Sequence, residues 1–249
     1  MKTVMITGCS SGFGRDAAAF FLQQGWKVIA TMRVPRQGVL PTSEQLTILP
    51  LDVTDADSIA RAVEAAGEVD VLVNNAGIGW MGPLEGTAPE MVRELFATNT
   101  FGTMEMIRAL LPQFRTRGSG VIINVSSSTT LKALPLLSVY TASKAAVNAF
   151  TESLALELAD FGIRTHLVLP GQAPETQFSA NARPRMAAAG SIPETYQTFA
   201  DGVFAAHSAA ASGEVTRIED VTAAIWRAAT QDDCPLWLPA GADSVALAG

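Results

Sequence analysis

The residues Thr3 to Thr7 form a short apolar run that passes without a spacer into Gly8-Cys9-Ser10-Ser11-Gly12-Phe13-Gly14, and an alanine-rich apolar stretch follows as far as Gly25. The order is strand, glycine turn, helix. Glycine at such a junction lets backbone amides at a helix N-terminus approach a phosphate, because no side chain stands in the way. A glycine cluster alone says little. Between a strand and a helix, at the front of a repeating pattern, it says much more.

The pattern does repeat. Trp26 to Met32, Leu46 to Leu51, Val69 to Val73, Val121 to Val125 and Ile163 to Leu169 read as buried strands, with Leu236 to Pro239 as a last short one. Helical stretches separate them. Thr54 or Asp55 caps a helix through Ile59, Val63 and Ala66 that stops at Gly67. Thr87-Ala88-Pro89-Glu90 has capping-box spacing and opens a helical region through Asn99 toward Phe114, which Pro112 bends or ends. Tyr140 to Phe161 lacks glycine and proline, with Ser138 as a possible cap and Gly162 as its stop. Asp220 to Ala229 is a further helix. Alternation of this kind calls for an α/β architecture, a Rossmann-type doubly wound parallel sheet of about seven strands with helices on both faces.

At 249 residues the simplest expectation is one domain spanning residues 1–249. Residues 172–213 carry small residues and scattered prolines with no evident strand, and read as a segment covering a substrate. With 48% hydrophobic and 16% charged residues the chain is that of a packed globular protein. A net charge of −7 and a pI near 4.9 argue against nucleic acid or an anionic membrane as partner. No stretch approaches a membrane span, and the opening apolar run is too short for a signal-peptide core. Cys9 and Cys234 point to reduced thiols and a cytoplasmic location. His166 reads as a packed core residue, and no metal site is expected.

The chemistry is placed at Tyr140-Thr141-Ala142-Ser143-Lys144. Residues four apart share a helix face, so the Tyr140 hydroxyl and the Lys144 ammonium can approach a common point. A neighbouring cation favours phenolate, and a tyrosine tuned in that way can act as general acid or base. Ser126-Ser127-Ser128 lies at the C-terminal end of the fifth strand, the end at which open parallel sheets bind ligands. Asn74-Asn75-Ala76-Gly77 ends the fourth strand in a turn of small and amide residues that a cofactor could pass. After the second strand, Met32 stands where an acidic residue would hold a ribose 2′-hydroxyl, and Arg33 follows. That favours NADP(H) over NAD(H), unless Arg33 is simply a solvated loop residue beside Arg36.

Taken together, these separated motifs resemble the short-chain dehydrogenase/reductase family over nearly the whole chain, most of all its steroid- and retinol-dehydrogenase-like members. The resemblance implies cofactor contacts from Gly8, Ser10, Ser11, Gly12, Phe13, Gly14, Arg33, Asp52, Asn75, Ala76, Gly77, Lys144, Pro170 and Gly171. It implies a catalytic set of Asn99, Ser127, Tyr140 and Lys144, Ser127 standing thirteen residues before the tyrosine. Lys144 would lower the tyrosine pKa and bind the nicotinamide ribose, and Asn99 would hold a water linking the lysine to solvent. The register among Ser126, Ser127 and Ser128 rests on family spacing alone, and Asn99 could equally be a helix-bending residue. The threonine that the family places after the Pro-Gly pair stands one residue late, at Thr176, which leaves its cofactor contact open. A homodimer or homotetramer follows from the same resemblance.

The function so implied is hydride transfer between NADP(H) and an apolar alcohol or ketone, with Tyr140 as general acid/base. A binding protein that senses NADP(H) without catalysis is the alternative on the same fold. Trp80, Met81, Leu134, Leu136, Leu137 and Val139 flank the catalytic positions as apolar pocket lining, or else as core or subunit contacts.

Overall fold

A computed structural model of the chain describes residues 1–36, 38–177, 182, 192–211 and 213–249. Seven strands form one parallel sheet: β1 (Thr3–Ile6), β2 (Lys27–Met32), β3 (Leu46–Pro50), β4 (Val71–Asn74), β5 (Gly120–Val125), β6 (Ile163–Pro170) and β7 (Trp237–Ala240). Their spatial order is β3-β2-β1-β4-β5-β6-β7. The order reverses between β1 and β4, which are paired in parallel from Val4 with Val71 to Ile6 with Val73. In open α/β sheets such a reversal is where ligands are taken, in a crevice at the carboxyl ends of the strands.

The helices are α1 (Gly12–Gln23), α2 (Ala56–Ala66), α3 (Pro89–Phe96), α4 (Gly102–Arg117), α5 (Ser138–Leu158), α6 (Gln197–Ala210), α7 (Ile218–Thr230) and α8 (Ala242–Ala248). They cover both faces. On one, Ala17, Ala18 and Phe21 of α1 and Val221, Ile225 and Ala228 of α7 pack on Val4, Ile6 and Val28. On the other, Ile59 of α2, Ile107 and Leu110 of α4 and Leu154 of α5 pack on Met5, Leu72 and Ile122. Successive residues of a strand face opposite ways, so Val4 and Met5 belong to different cores.

Several local readings are corrected. Ser138 does not cap α5: it is the first helical residue, and Leu137 holds the cap position without a side-chain bond. The capping box at Thr87 does not form, because the Thr87 hydroxyl accepts from Trp80 Nε1 (2.9 Å) and donates to the Pro83 carbonyl (2.8 Å). Ala88 caps α3 instead, with Pro89 at the first position, where its missing N–H costs nothing. Pro112 does not end α4, which runs on to Arg117. Pro112 and Arg108 are both exposed, so the carbonyl deprived of its helical partner faces water. The C-terminal helix α8 was not read from the sequence at all.

Other readings hold. Asp55 caps α2, accepting from the amides of Asp57 and Ser58. Gly162 ends the Tyr140 helix in a left-handed conformation after a final 3-10 turn. His166 is buried, with Nδ1 2.9 Å from the Pro235 carbonyl. Within 172–213, the described residues 192–211 are largely helical and include no strand, while 178–181, 183–191 and 212 lie outside the described residues. No helix among the described residues is long and apolar enough to cross a membrane.

Candidate active site

The glycine turn and the Asn74-Asn75-Ala76-Gly77 turn leave β1 and β4 side by side, and Thr7 ties them together. Its hydroxyl accepts from the amides of Asn75 (3.0 Å) and Ala76 (2.9 Å). In return, Asn75 Nδ2 donates to the carbonyls of Thr7 (2.9 Å) and Gly8 (3.2 Å). The two backbones are so close that a Cβ on Gly8 would lie 2.9 Å from Ala76 Cα, and one on Gly14 would overlap the Asn75 amide and the Gly8 carbonyl. Ser11 caps α1 with extended backbone and no side-chain bond, and no acidic residue occupies the first turn. Gly8 and Gly14 thus let the two turns close on each other, and the uncapped amides at the N-terminus of α1 suit a phosphate group. Ser10 is exposed and Phe13 half-buried around this turn.

Arg33 is exposed just beyond β2, and Met32 is buried at the strand end. Asp52 lies beyond β3, its Oδ1 accepting from Thr54 N (2.9 Å) and Thr54 Oγ1 (2.7 Å). Burial pushes the Asp52 carboxyl up, but the Thr54 hydrogen bonds and the Arg33 charge together outweigh it and hold the group below its ordinary value. Arg33 and Asp52 therefore sense one another at the edge where the adenosine half of a dinucleotide would lie.

At the carboxyl end of β5, Ser126, Ser127 and Ser128 take three distinct roles. Ser126 faces α5 and donates to Asn148 Oδ1 (2.5 Å). Ser128 begins a 3-10 turn, for which Ser127 is the cap. Of the three serines, Ser127 is the one whose side chain is hydrogen-bonded to Tyr140. Tyr140 and Lys144 lie one turn apart on α5, both buried. Lys144 Nζ donates to the Val125 carbonyl at 2.9 Å.

The expected lowering of the tyrosine pKa by the lysine is not what this arrangement produces. Burial pushes the Tyr140 phenol up to about 12, against the partial opposition of the Ser127 hydrogen bond. Burial likewise pulls the Lys144 ammonium down to about 8. Desolvation acts against the charged form of each group and is the largest influence on both.

Asn99 sits in a π-type turn between α3 and α4. Its Oδ1 accepts from Ile78 N (2.8 Å), and its Nδ2 donates to Ile78 O (3.0 Å) and Ser143 Oγ (3.1 Å). The side chain thus ties the β4 turn to the tyrosine helix. A Cβ on Gly77 would stand 3.2 Å from Asn99 Oδ1 and 3.4 Å from Lys144 Nζ, so both atoms border the space at that glycine.

Pro170 and Gly171 end β6 at the same carboxyl end of the sheet. Thr176 is buried, its hydroxyl donates to Ala173 O (2.9 Å), and its side chain lies over the glycine turn, 3.5 Å from where a Cβ of Gly12 would be. Of the apolar flanking residues, Trp80 and Val139 pack with Tyr140 in a small core cluster. Leu136 is buried with a left-handed φ of 62°, its carbonyl accepting from Gly82 N (2.7 Å), whereas Leu134 is 38% exposed. Sequence reasoning missed Thr129, Ser143, Thr216 and Asp243, whose contributions come only through partners distant in sequence or through a turn it did not foresee. Among the described residues no three His, Cys, Asp or Glu side chains group as a metal site.

A parallel seven-stranded sheet whose order reverses beside a glycine turn defines a doubly wound α/β protein of the nucleotide-binding kind. The short chain dehydrogenase family model matches residues 2–187, and the chain belongs to that family. It is 40% identical over 215 residues to retinol dehydrogenase 8 of Bos taurus, covering 80% of this chain and 69% of that one. Among solved structures, a short-chain dehydrogenase from Streptomyces avermitilis superposes with a TM-score of 0.82 at 35% identity, over 99% of this chain and 90% of that one. A serine dehydrogenase complexed with NADP+ matches with a TM-score of 0.78 at 29% identity (95% and 93% covered). A family member from Burkholderia phymatum in complex with NAD matches at 0.80 and 26% identity (95% and 88% covered).

Proposed function

We propose that this chain is an NADP(H)-dependent reductase or dehydrogenase of an apolar ketone/alcohol pair, with Tyr140 as the group that exchanges a proton with the substrate oxygen. The observation that carries this reading is the buried Tyr140 hydroxyl held by Ser127, with Lys144 one helical turn behind it. A bound nicotinamide nucleotide supplies or accepts the hydride. Gly8, Ser10, Ser11, Gly12, Phe13 and Gly14 hold its phosphates, Asp52 and Arg33 its adenosine half, and Asn75, Ala76, Gly77, Pro170 and Gly171 line its path to the substrate.

At neutral pH Tyr140 is a phenol and so is poised as an acid. In carbonyl reduction it gives its proton to the oxygen as negative charge develops there, while Ser127 donates a hydrogen bond to the same atom. Lys144 uses one N–H on the Val125 carbonyl and has two more for ribose hydroxyls. A water between Asn99 Oδ1 and Lys144 Nζ would return a proton from solvent. The preference for the 2′-phosphate rests on Arg33 standing exposed where Met32 denies the ribose an acidic partner. An apolar substrate accords with the apolar residues that flank Tyr140 in sequence, the exposed Leu134 among them, and with the retinol named for the bovine relative.

The test is binding of NADPH against NADH by protein fluorescence, followed by a panel of apolar ketones monitored through NADPH absorbance. Tighter NADPH binding and oxidation on apolar ketones support the reading. Binding without turnover on any carbonyl overturns the enzymatic part, and a preference for NADH overturns the role of Arg33.

A further inference from the structure

The turn that leaves β6 is held by residues to which no role has yet been given. Pro170 has no N–H, and the next two amides are both taken by side chains far away in sequence. Gly171 N donates to Thr216 Oγ1 (2.8 Å), and Gln172 N donates to Asp243 Oδ2 (2.6 Å). Thr216 N in turn donates to the Gln172 carbonyl at 2.9 Å. Thr216 Oγ1 also lies 2.7 Å from Asp243 Oδ1 and 2.8 Å from the Ala240 carbonyl. Its single proton serves one of these at a time, and the carboxylate is the stronger acceptor. Next to Asp243, Ser244 Oγ donates to the Leu169 carbonyl (2.6 Å), which fixes α8 against the same strand end.

Thr216 is fully buried while Gly171, Gln172 and Asp243 are half-buried, and Gly171 N has a second, longer acceptor in the Ala240 carbonyl (3.4 Å), so the bond from Gln172 N to Asp243 is the one whose loss leaves a backbone donor without a protein partner. The geometry also gives Gly171 a reason of its own: a Cβ there would overlap the Asp243 carboxylate. Glycine at that position makes room for the carboxylate, whatever it does for a cofactor.

We infer that Thr216 and Asp243 are positioning residues that hold the Pro170-Gly171-Gln172 turn in the shape that receives the nicotinamide end of the cofactor. The inference rests on the reading of the site given above. Asp243 and Thr216 reach the turn from α8 and from the segment just before α7, so they tie the end of β6 to both of those elements. Neither touches the reacting atoms. Their effect is on the path of the backbone.

The test compares Asp243→Ala, Asp243→Asn and Thr216→Val with the unmodified protein, by NADPH binding and by amide hydrogen exchange of residues 168–177. Asp243→Ala is expected to weaken NADPH binding by about tenfold, the order of one lost charge-assisted bond, and to speed exchange in that stretch while the amides of β1 and α1 keep their protection. Thr216→Val should do the same. Asp243→Asn retains an oxygen for Gln172 and an amide that can donate to Thr216, so it should restore most of the binding. Asp243→Ala with unchanged NADPH affinity and unchanged exchange overturns the assignment. So does Asp243→Asn behaving no better than Asp243→Ala, because the bonds would then not be what matters. If the unmodified protein binds NADPH and reduces ketones, either result removes the clamp alone. If it binds no nicotinamide nucleotide, the reading of the site falls, and the inference with it.

Discussion

Thr129 supplies two hydrogen bonds to Ser127 Oγ, from its backbone N–H at 3.2 Å and from its hydroxyl at 3.1 Å. A serine oxygen has two acceptor positions and one proton, so with both positions filled by Thr129 the Ser127 proton is left to point at Tyr140. The same polarity suits a serine that must donate to a carbonyl oxygen. Thr129→Val should therefore lower kcat by roughly three- to tenfold, the worth of one neutral hydrogen bond, with cofactor binding unchanged. Thr129→Ser should recover most of it. Steady-state kinetics on the two variants decide the matter, and a valine variant with full kcat would show that Ser127 needs no such orientation.

The buried phenol also sets a pH dependence. Tyr140 stays protonated until the pH approaches about 12, so the acid needed for ketone reduction is present throughout the neutral range and is lost only as pH rises through that value. Alcohol oxidation needs the phenolate, whose fraction grows tenfold per pH unit below the pKa. Reduction rates should be flat between about pH 6 and 9 while oxidation rates climb over the same range. Initial rates in both directions across that range test this. An oxidation rate that levels off near pH 7 would mean the phenol titrates far lower than burial dictates.

Lys144 carries a different linkage. Its ammonium is pulled down to about 8, so the folded protein holds a disfavoured charge at pH values below that. The penalty is present in full below about pH 8 and disappears as pH rises toward the ordinary lysine value. Lys144→Met should raise stability at pH 7 by on the order of 1 to 3 kcal/mol, net of the lost bond to Val125, while abolishing activity. Thermal unfolding at pH 7 and pH 10 should show the gap shrinking at the higher pH. A gap that widened would contradict the burial argument.

Arg33 governs the choice of nucleotide in this account. Arg33→Ala should weaken NADPH by roughly 1.5 to 3 kcal/mol and NADH far less. Fluorescence titrations with both nucleotides measure the difference, and equal losses would remove Arg33 from the site.

The fold was legible because its signals are local and repeated. Each strand is an apolar run bounded by glycine, proline or a cap, and the glycine turn stands at the sheet's switch point. The Tyr140 helix was legible from its lack of glycine and proline up to Gly162, and the pairing of Tyr140 with Lys144 gained meaning only beside the glycine turn and the strand-end serines. What escaped depends on pairing over long separations. Thr216 and Asp243 become meaningful only when β6, β7 and α8 come together, and α8 itself is seven residues of modest propensity. Thr87 looked like a helix cap because nothing in the sequence says that Trp80 takes its hydroxyl. The tyrosine pKa shows the same limit: helical spacing predicts a neighbouring cation, whereas the burial that pushes the phenol up is a property of the assembled core.

Replacing Tyr140 by Phe while following both NADPH binding and ketone turnover tests whether its hydroxyl exchanges the proton. NADPH affinity is expected to stay within about twofold of the unmodified protein, with turnover reduced by roughly 10² to 10⁴. A Phe variant that retains turnover would contradict it.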